Sequence, residues 1–280
     1  MVSVALVSCR DLPDGTPDDR LLVDALREEA ADVRVVCWDD SSVRWTDFDA
    51  VVVRSTWDYH LRATKFLRWI DELERSGAPL WNPAPLLRWN ADKRYLTDLE
   101  RRGVEVVPTE LGPGHLREIL ERRGWERAVV KPRISAAAAG ATVRTREDAD
   151  DTLAEGQMVQ PFMEEVRTTG EWSVVLFAGE PSHAVLKRPA AGDFRVQEEH
   201  GGTVAAEPMP PALAAQALEV AAAIEPPWLY ARVDAVDVAG RLVVMEVELI
   251  EPELFFRFEP GSAVRMARAI LERASSTRRR

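Results

Sequence analysis

Lysine is scarce in this 280-residue chain: Lys65, Lys93, Lys131 and Lys187 stand against 32 arginines. A chain that uses arginine for nearly every cation needs a reason to keep an ammonium. Phosphate chemistry offers one, since a compact charge on a flexible stem fits where a planar fork does not. Cysteine is scarce as well. Cys9 and Cys37 are too few for a disulfide framework and lack metal-ligand spacing, so two reduced core thiols in a cytoplasmic protein are expected. A basic footprint is missing, because a net charge of -11 and a pI near 5.0 argue against nucleic acid or an anionic membrane as a general partner. No apolar run approaches the ~20 residues that span a bilayer. The start, Met1 to Ser8 followed by Arg10-Asp-Leu-Pro-Asp-Gly15, has no basic n-region and reads as no signal peptide. No glycine-rich dinucleotide fingerprint follows the first apolar run, so NAD is not expected.

Hydrophobic residues make up 46% of the chain, ample for a core. Residues 1–85 alternate strand and helix patterns: strands at Val2–Val7, Val33–Trp38 and Phe48–Val53, helices at Asp19–Ala30 and Ala63–Arg75. That order implies a small parallel sheet, whose ligands sit beyond the carboxyl ends of strands. Arg54-Ser-Thr-Trp-Asp-Tyr59 follows such an end and makes Arg54, Trp57 and Asp58 substrate candidates. Trp81-Asn-Pro-Ala-Pro85 reads as a linker. Residues 86–160 hold a linker helix and a small α+β unit: strands at Val104–Val107, Ala128–Lys131 and Met158–Gln160, helices at Gly114–Arg123 and Glu147–Ala154. Residues 161–274 read as antiparallel, with a hairpin around Ala178-Gly-Glu-Pro181, a helix from Pro211 to Ile224, strands at Tyr230–Val236 and Leu242–Leu249, and a last helix over Ser262–Ala274. Residues 275–280 read as a solvated tail.

Glu246-Val-Glu248 sits in an apolar run, and strand alternation puts both carboxylates on one face; Arg232 and Asp234 share a face of the preceding strand. Asp234 faces Glu246 only if the connection is an odd loop near Gly240 or carries a bulge. A plain two-residue turn at Ala239-Gly240 pairs Asp234 with Met245 instead. The odd loop or bulge is expected, because it gives three carboxylates one target. Like charges this close raise one another's pKa unless a cation joins them, and magnesium, held by a few hard oxygens and nucleotide phosphates, is such a cation.

The ordered set of parts resembles the ATP-grasp superfamily: Lys93, then Lys131 before Pro132, a small-residue loop, Gln160-Pro-Phe-Met163, then the acidic hairpin. It is most similar to the glutathione-synthetase-like ligases and their D-cycloserine-forming branch, through Arg54 to Tyr59, Asp193-Phe-Arg-Val-Gln-Glu-Glu-His-Gly-Gly202 and Glu246-Val-Glu-Leu-Ile-Glu-Pro-Glu-Leu-Phe255. The resemblance implies an α/β plus α+β chain: an N-terminal Rossmann-like domain, an α+β lid and a C-terminal antiparallel-sheet catalytic domain. It implies ATP and Mg2+, a small-molecule carboxylate, an amine-type nucleophile and a homodimer. By resemblance Lys93 and Lys131 meet the phosphates and Gln160, Pro161, Phe162 and Met163 form the adenine hinge. Glu171 meets the ribose, Lys187 and Arg195 flank the γ-phosphate, Arg232 steadies the transferring group, and Asp234, Glu246 and Glu248 hold the metal.

Two departures stand out. Glu248 occupies a position that is often asparagine, adding negative charge. The loop Ile134 to Thr142 has one glycine where many members have several, leaving the Ser135 and Thr142 hydroxyls to help cover phosphates. Gly201-Gly202 suits either a close backbone approach to ligand or a plain turn, and Arg257 is a candidate for a substrate carboxylate. Arg232→Ala or Glu246→Ala is expected nearly to abolish turnover with the fold intact. A small-molecule kinase on the same cradle and an inactive nucleotide-binding module are the rival readings; the retained acids count against the second.

Overall fold

The structure, a computed structural model, describes residues 1–136, 138–147 and 152–277. It opens with β1 (Ser3–Ser8), α1 (Pro17–Glu28), β2 (Asp32–Cys37), β3 (Ala50–Ser55), α2 (Ala63–Ser76) and β4 (Leu80–Trp81). The four strands are parallel, in the order β2-β1-β3-β4. Residues Ala50 to Val53 have no exposed surface, as in a strand covered on both faces. Helix α1 begins with a capping box: the Thr16 hydroxyl accepts from the Asp19 N–H, the Asp19 carboxylate accepts from the Thr16 N–H, and Pro17 takes the first helical position.

Trp81–Pro85 is no linker. Trp81 ends β4, and α3 (Ala84–Ala91) starts one residue after Pro83, with both prolines where a first turn lacks intrahelical N–H bonds anyway. Between them the fully buried Asn82 accepts from the Leu229 and Tyr230 N–H groups and donates to the Tyr230 and Leu249 carbonyls. Helix α4 (Tyr95–Arg101) follows.

The lid comprises β5 (Glu110–Leu111), β6 (Gly114–His115), α5 (Leu116–Arg123), β7 (Arg127–Pro132), β8 (Thr142–Thr145), β9 (Thr152–Leu153) and β10 (Gln157–Pro161). Its antiparallel sheet runs β5-β10-β7-β8. Ala128, Val130 and Val159 pack with Leu116, Ile119 and Leu120 of α5. Gly114 and His115, expected in the helix, pair with β9 instead. Val104–Val107 makes only an isolated bridge, Val106 to Val244. Half of the helix expected over Glu147–Ala154 falls on 148–151, outside the described residues, and Thr152 and Leu153 beside them form β9.

The remainder is α6 (Glu165–Thr168), β11 (Glu171–Phe177), β12 (Glu180–Arg188), β13 (Thr203–Ala206), α7 (Pro211–Ala222), β14 (Tyr230–Val238), β15 (Arg241–Glu248) and α8 (Ser262–Thr277). The five strands form an antiparallel sheet, β13-β12-β11-β14-β15. One face, with Trp172, Val174, Leu186, Val233 and Val247, packs against Leu213, Ala217 and Val220 of α7 and Leu96 and Leu99 of α4. Helix α8 crosses back to the parallel sheet, where Met266, Ala267 and Ile270 join Val4, Leu6 and Leu22 in one buried cluster. It runs through Thr277, past the expected stop at Ala274. Among the described residues no helix is long and apolar enough to cross a membrane.

Candidate active site

The second face of the five-stranded sheet carries charge. Cross-strand register sets Glu171 beside Lys187, Ser173 beside Asp234, Asp234 opposite Glu246 and Arg232 opposite Glu248. The β14–β15 turn is the tight Ala239-Gly240 pair, so an odd loop is excluded. The Asp234–Glu246 pairing arises from a bulge that leaves Met245 unpaired, since Ala235 faces Val244. Lys187 Nζ lies 2.6 Å from Glu171 and 3.3 Å from Asp234. Arg232 donates to both Asp234 oxygens, to Glu248 and, at 3.0 Å, to the Glu253 carbonyl. Lys93 reaches in from the α3–α4 connection, 3.0 Å from Glu246 and 2.5 Å from the Ser135 carbonyl.

Opposite this face lies the lid, and between them is a cavity of about 350 Å³. Alternation along β7 sends Ala128 and Val130 into the lid core and Val129 and Lys131 into the cavity. At one end Phe162 stacks under the Arg127 guanidinium, 4.1 Å from the ring centre, and meets Phe194 edge-on at 6.1 Å. Met163, Val107, Val166 and Met245 complete an apolar slot. The Gln160 side chain donates to Thr109 at 2.9 Å, the Phe162 N–H donates to the Arg127 carbonyl at 3.0 Å, and the Met163 carbonyl accepts from the Val166 N–H at 3.3 Å. Phe194 and Val107 lie far from Phe162 in sequence, and no local pattern marks them as partners. In the loop after Lys131 the scarcity of glycine has a cost: Ala138 sits at φ +56, a left-handed conformation that favours glycine.

The chain after β15 has no regular structure, yet six consecutive carbonyls each meet a side chain. Asn82 holds Leu249, Tyr230 holds Ile250, Trp57 holds Glu251, Arg54 holds Pro252, Arg232 holds Glu253 and His183 holds Leu254, at 2.8 to 3.1 Å. Phe255 ends the run at φ +53. This corrects the reading of the Arg54–Tyr59 motif. Arg54 is buried, 3.1 Å from Asp19 and stacked on Tyr230, and it does not line the cavity. Asp58 accepts from Trp38 and pairs with Arg62, so it is structural too. Trp57 alone of the three reaches the cavity.

Gly201 and Gly202 also lie off the cavity wall. A Cβ on Gly202 would stand 2.2 Å from the Val196 carbonyl, so the close approach there is to its own loop. Arg195 lines the cavity but is clamped by Asp193, two residues away. Arg257 pairs with Glu253 and Glu198 rather than presenting a free guanidinium. The remaining nucleotide and metal candidates, Lys93, Lys131, Ser135, Gln160 to Met163, Glu171, Lys187, Arg232, Asp234, Glu246 and Glu248, all border the one cavity. Glu251 borders it as well, and its place three residues past Glu248 in an acid-rich run was the available signal.

Burial works to raise Asp234, but Arg232 and Lys187 overcome it and hold the carboxyl well below the usual range. Burial also opposes the Lys187 and Arg232 charges, yet their acidic neighbours push both pKa values up. Burial pulls Lys131 down, and among the described residues it has no ion-pair partner. Glu248 is pushed up to about 7 by burial and by the Asp234 and Glu246 charges, against the pull of Arg232. Glu251 rises well above the ordinary carboxylate value through burial and through Glu248.

The expected metal triad is not assembled as a coordination shell. Each member is taken by a cation, and among the described residues no three His, Cys, Asp or Glu side chains are arranged around one ion. The donor chemistry nonetheless fits magnesium: oxygen ligands only, Glu246 and Glu248 28% and 23% exposed toward the cavity, and a cluster short of positive charge.

A lid whose lysine faces an acid-rich antiparallel sheet across a cavity with an apolar end is the arrangement of the ATP-grasp class of ATP-dependent carboxylate–amine ligases. Residues 4–82 match the family model for the N-terminal domain of D-cycloserine synthetase DcsG. The chain is 34% identical to the cycloserine biosynthesis protein DcsG of Streptomyces lavendulae, over 90% of this chain and 92% of that protein. It therefore belongs to the DcsG family. The crystal structure of D-cycloserine synthetase DcsG superposes with a TM-score of 0.86 at 31% identity, covering 97% of this chain and 99% of that one. The D-alanine–D-alanine ligase of Bacillus anthracis shares the fold, at a TM-score of 0.68 and 16% identity, over 100% of this chain and 99% of that one.

Proposed function

We propose that the chain closes an aminooxy amino acid into a cyclic product of the cycloserine type. ATP phosphorylates the substrate carboxylate, the aminooxy nitrogen attacks the acyl carbon and loses a proton, and phosphate leaves. What carries this reading is the convergence of Lys187, Arg232, Asp234, Glu246 and Glu248 on one sheet face opposite Lys131. Phosphoryl and acyl transfer of this kind need placed charge more than a protein nucleophile.

In this reading the Phe162–Phe194 slot and the Gln160–Met163 backbone hold adenine, and Glu171 orients the ribose. Lys131, without an ion-pair partner among the described residues, gains most from an anion, and Lys93 leaves Glu246 to share the phosphates. Arg232 and Lys187 stand where negative charge grows on the transferring group. Asp234, Glu246 and Glu248 would hold magnesium, which when bound neutralises phosphate charge. Ser135, with the loop that follows, covers the phosphates from the lid.

The test is to incubate the purified chain with ATP, magnesium and β-aminooxy-D-alanine, the open-chain acid of cycloserine, and to follow ADP and product mass. One ADP per product, lighter than the acid by one water, is expected. A stable phosphorylated acid would identify a kinase instead, and no ADP release with this acid or a panel of amino acids and amines would overturn the ligase reading.

A further inference from the structure

We infer that Glu251 selects the substrate by pairing with an ammonium group on the carbon next to the reacting carboxyl. The inference deepens the reading above and rests on it. Charge bookkeeping in the cavity leads to this residue. Lys187, Arg232, Lys93 and Arg195 are engaged by Glu171 and Asp234, by Asp234 and Glu248, by Glu246 and by Asp193. Glu253, the next acid along, is held by Arg257, and Glu199 is open to solvent. Glu251 is the part-buried cavity carboxylate that, among the described residues, has no ion-pair partner.

Its presentation is built rather than incidental. The carbonyls of Ile250, Glu251 and Pro252 are fixed by Tyr230, Trp57 and Arg54, and the Tyr59 hydroxyl lies beside the carboxylate. A site held this firmly by its surroundings is preorganised for a partner. An acid part-buried without an ion-pair partner among the described residues is costly to ionise, and a cation offsets that cost, so the group it would receive is positively charged. Glu251 lines the same cavity as Lys93, Glu246 and Glu248, so a cation bound to it shares that cavity with the reacting centre proposed above. An ammonium on the carbon adjoining the activated carboxyl meets both conditions. A substrate lacking it would leave Glu251 unpaired, and sites of that kind discriminate strongly.

The test compares β-aminooxy-D-alanine with 3-aminooxypropanoate, which lacks only the ammonium, in the unchanged enzyme, E251Q and E251D. The unchanged enzyme is expected to prefer the first by about 100-fold in kcat/KM. E251Q should lose that preference through a raised KM for the first acid, with the KM for ATP unmoved, and E251D, which keeps the charge, should retain part of it. An unaltered preference in E251Q, or a raised magnesium requirement with the preference intact, would overturn the role while leaving the ligase standing. Turnover of neither acid by the unchanged enzyme would bring down the cyclisation reading itself, and this inference with it. If E251Q fails to fold, an unaltered preference in E251D with a raised magnesium requirement overturns the role, and a reduced preference upholds it.

Discussion

Asp234 faces Glu246 because Met245 is squeezed out of the ladder between them and the Ala235–Val244 pair. With the tight Ala239-Gly240 turn and no bulge, Asp234 would face Met245, and Glu246 and Glu248 would point at the apolar face under α7. A slip of one residue exchanges the faces of a strand, so a single inserted residue decides whether Glu246 and Glu248 join the charged face.

Glu246→Gln removes a charge that Lys93 holds at 3.0 Å and one proposed magnesium ligand. Loss of one such group raises a barrier by about 2.7–4 kcal/mol, or about 10²–10³ in kcat. The thermal midpoint should hardly move, because the side chain is partly exposed in the cavity. ADP-release kinetics and a melting curve read both, and near-normal turnover would remove the residue from the mechanism.

Arg232→Ala should lower stability as well as turnover, contrary to the expectation of an intact fold. The buried guanidinium serves Asp234, Glu248 and the Glu253 carbonyl together, and breaking a buried pair leaves uncompensated charge at a cost of about 3–5 kcal/mol. Urea unfolding measures it; an unchanged midpoint would show that the pair contributes nothing to folding.

Ala239→Asn should stabilise the chain. Ala239 and Gly240 lie at φ +53 and +83, the left-handed pair of a tight hairpin turn, where asparagine is favoured over alanine. A gain of about 1 kcal/mol is expected from the left-handed penalty removed, with turnover unaltered, as denaturant titration of the variant would reveal.

His183 makes stability depend on pH. Its Nε2 donates to the Leu254 carbonyl and its Nδ1 meets the Ser182 hydroxyl, which Arg265 also contacts. Burial lowers its pKa, against the Leu254 bond and Glu259. The unfolded chain then binds this proton more readily, so the contribution is full above about pH 6.5 and falls as pH drops through that value toward the lower folded one. His183→Gln should flatten this part of a pH–stability curve; an unchanged slope would exclude the residue as its source.

The regular strands and helices were legible because their apolar periods are strong, as at Val51-Val52-Val53 and Phe66-Ile70-Leu73. Trp81–Pro85 misled because prolines suit a helix start as well as a linker, and burial of Asn82 depends on strands about 150 residues away. At Ala239-Gly240 alanine lacks the usual hairpin signature, so the sequence left an odd loop and a bulge open, and the bulge is what pairs Asp234 with Glu246. Arg54 and Asp58 looked like ligand groups at a strand end, but packing gives Arg54 to Asp19 of α1 and the Pro252 carbonyl, and Asp58 to Trp38 and Arg62.

By itself the sequence determined most of the elements, the spacing of Glu246 and Glu248, and the scarcity of lysine that singles out Lys93, Lys131 and Lys187, because alternation and composition are properties of the chain alone. The tertiary structure decided which carboxylates meet, through a bulge at Met245, and which cation each receives. It also decided that Glu251 would line the cavity without an ion-pair partner among the described residues, since pairing across a cleft is a matter of distance in space, which separation along the chain does not encode.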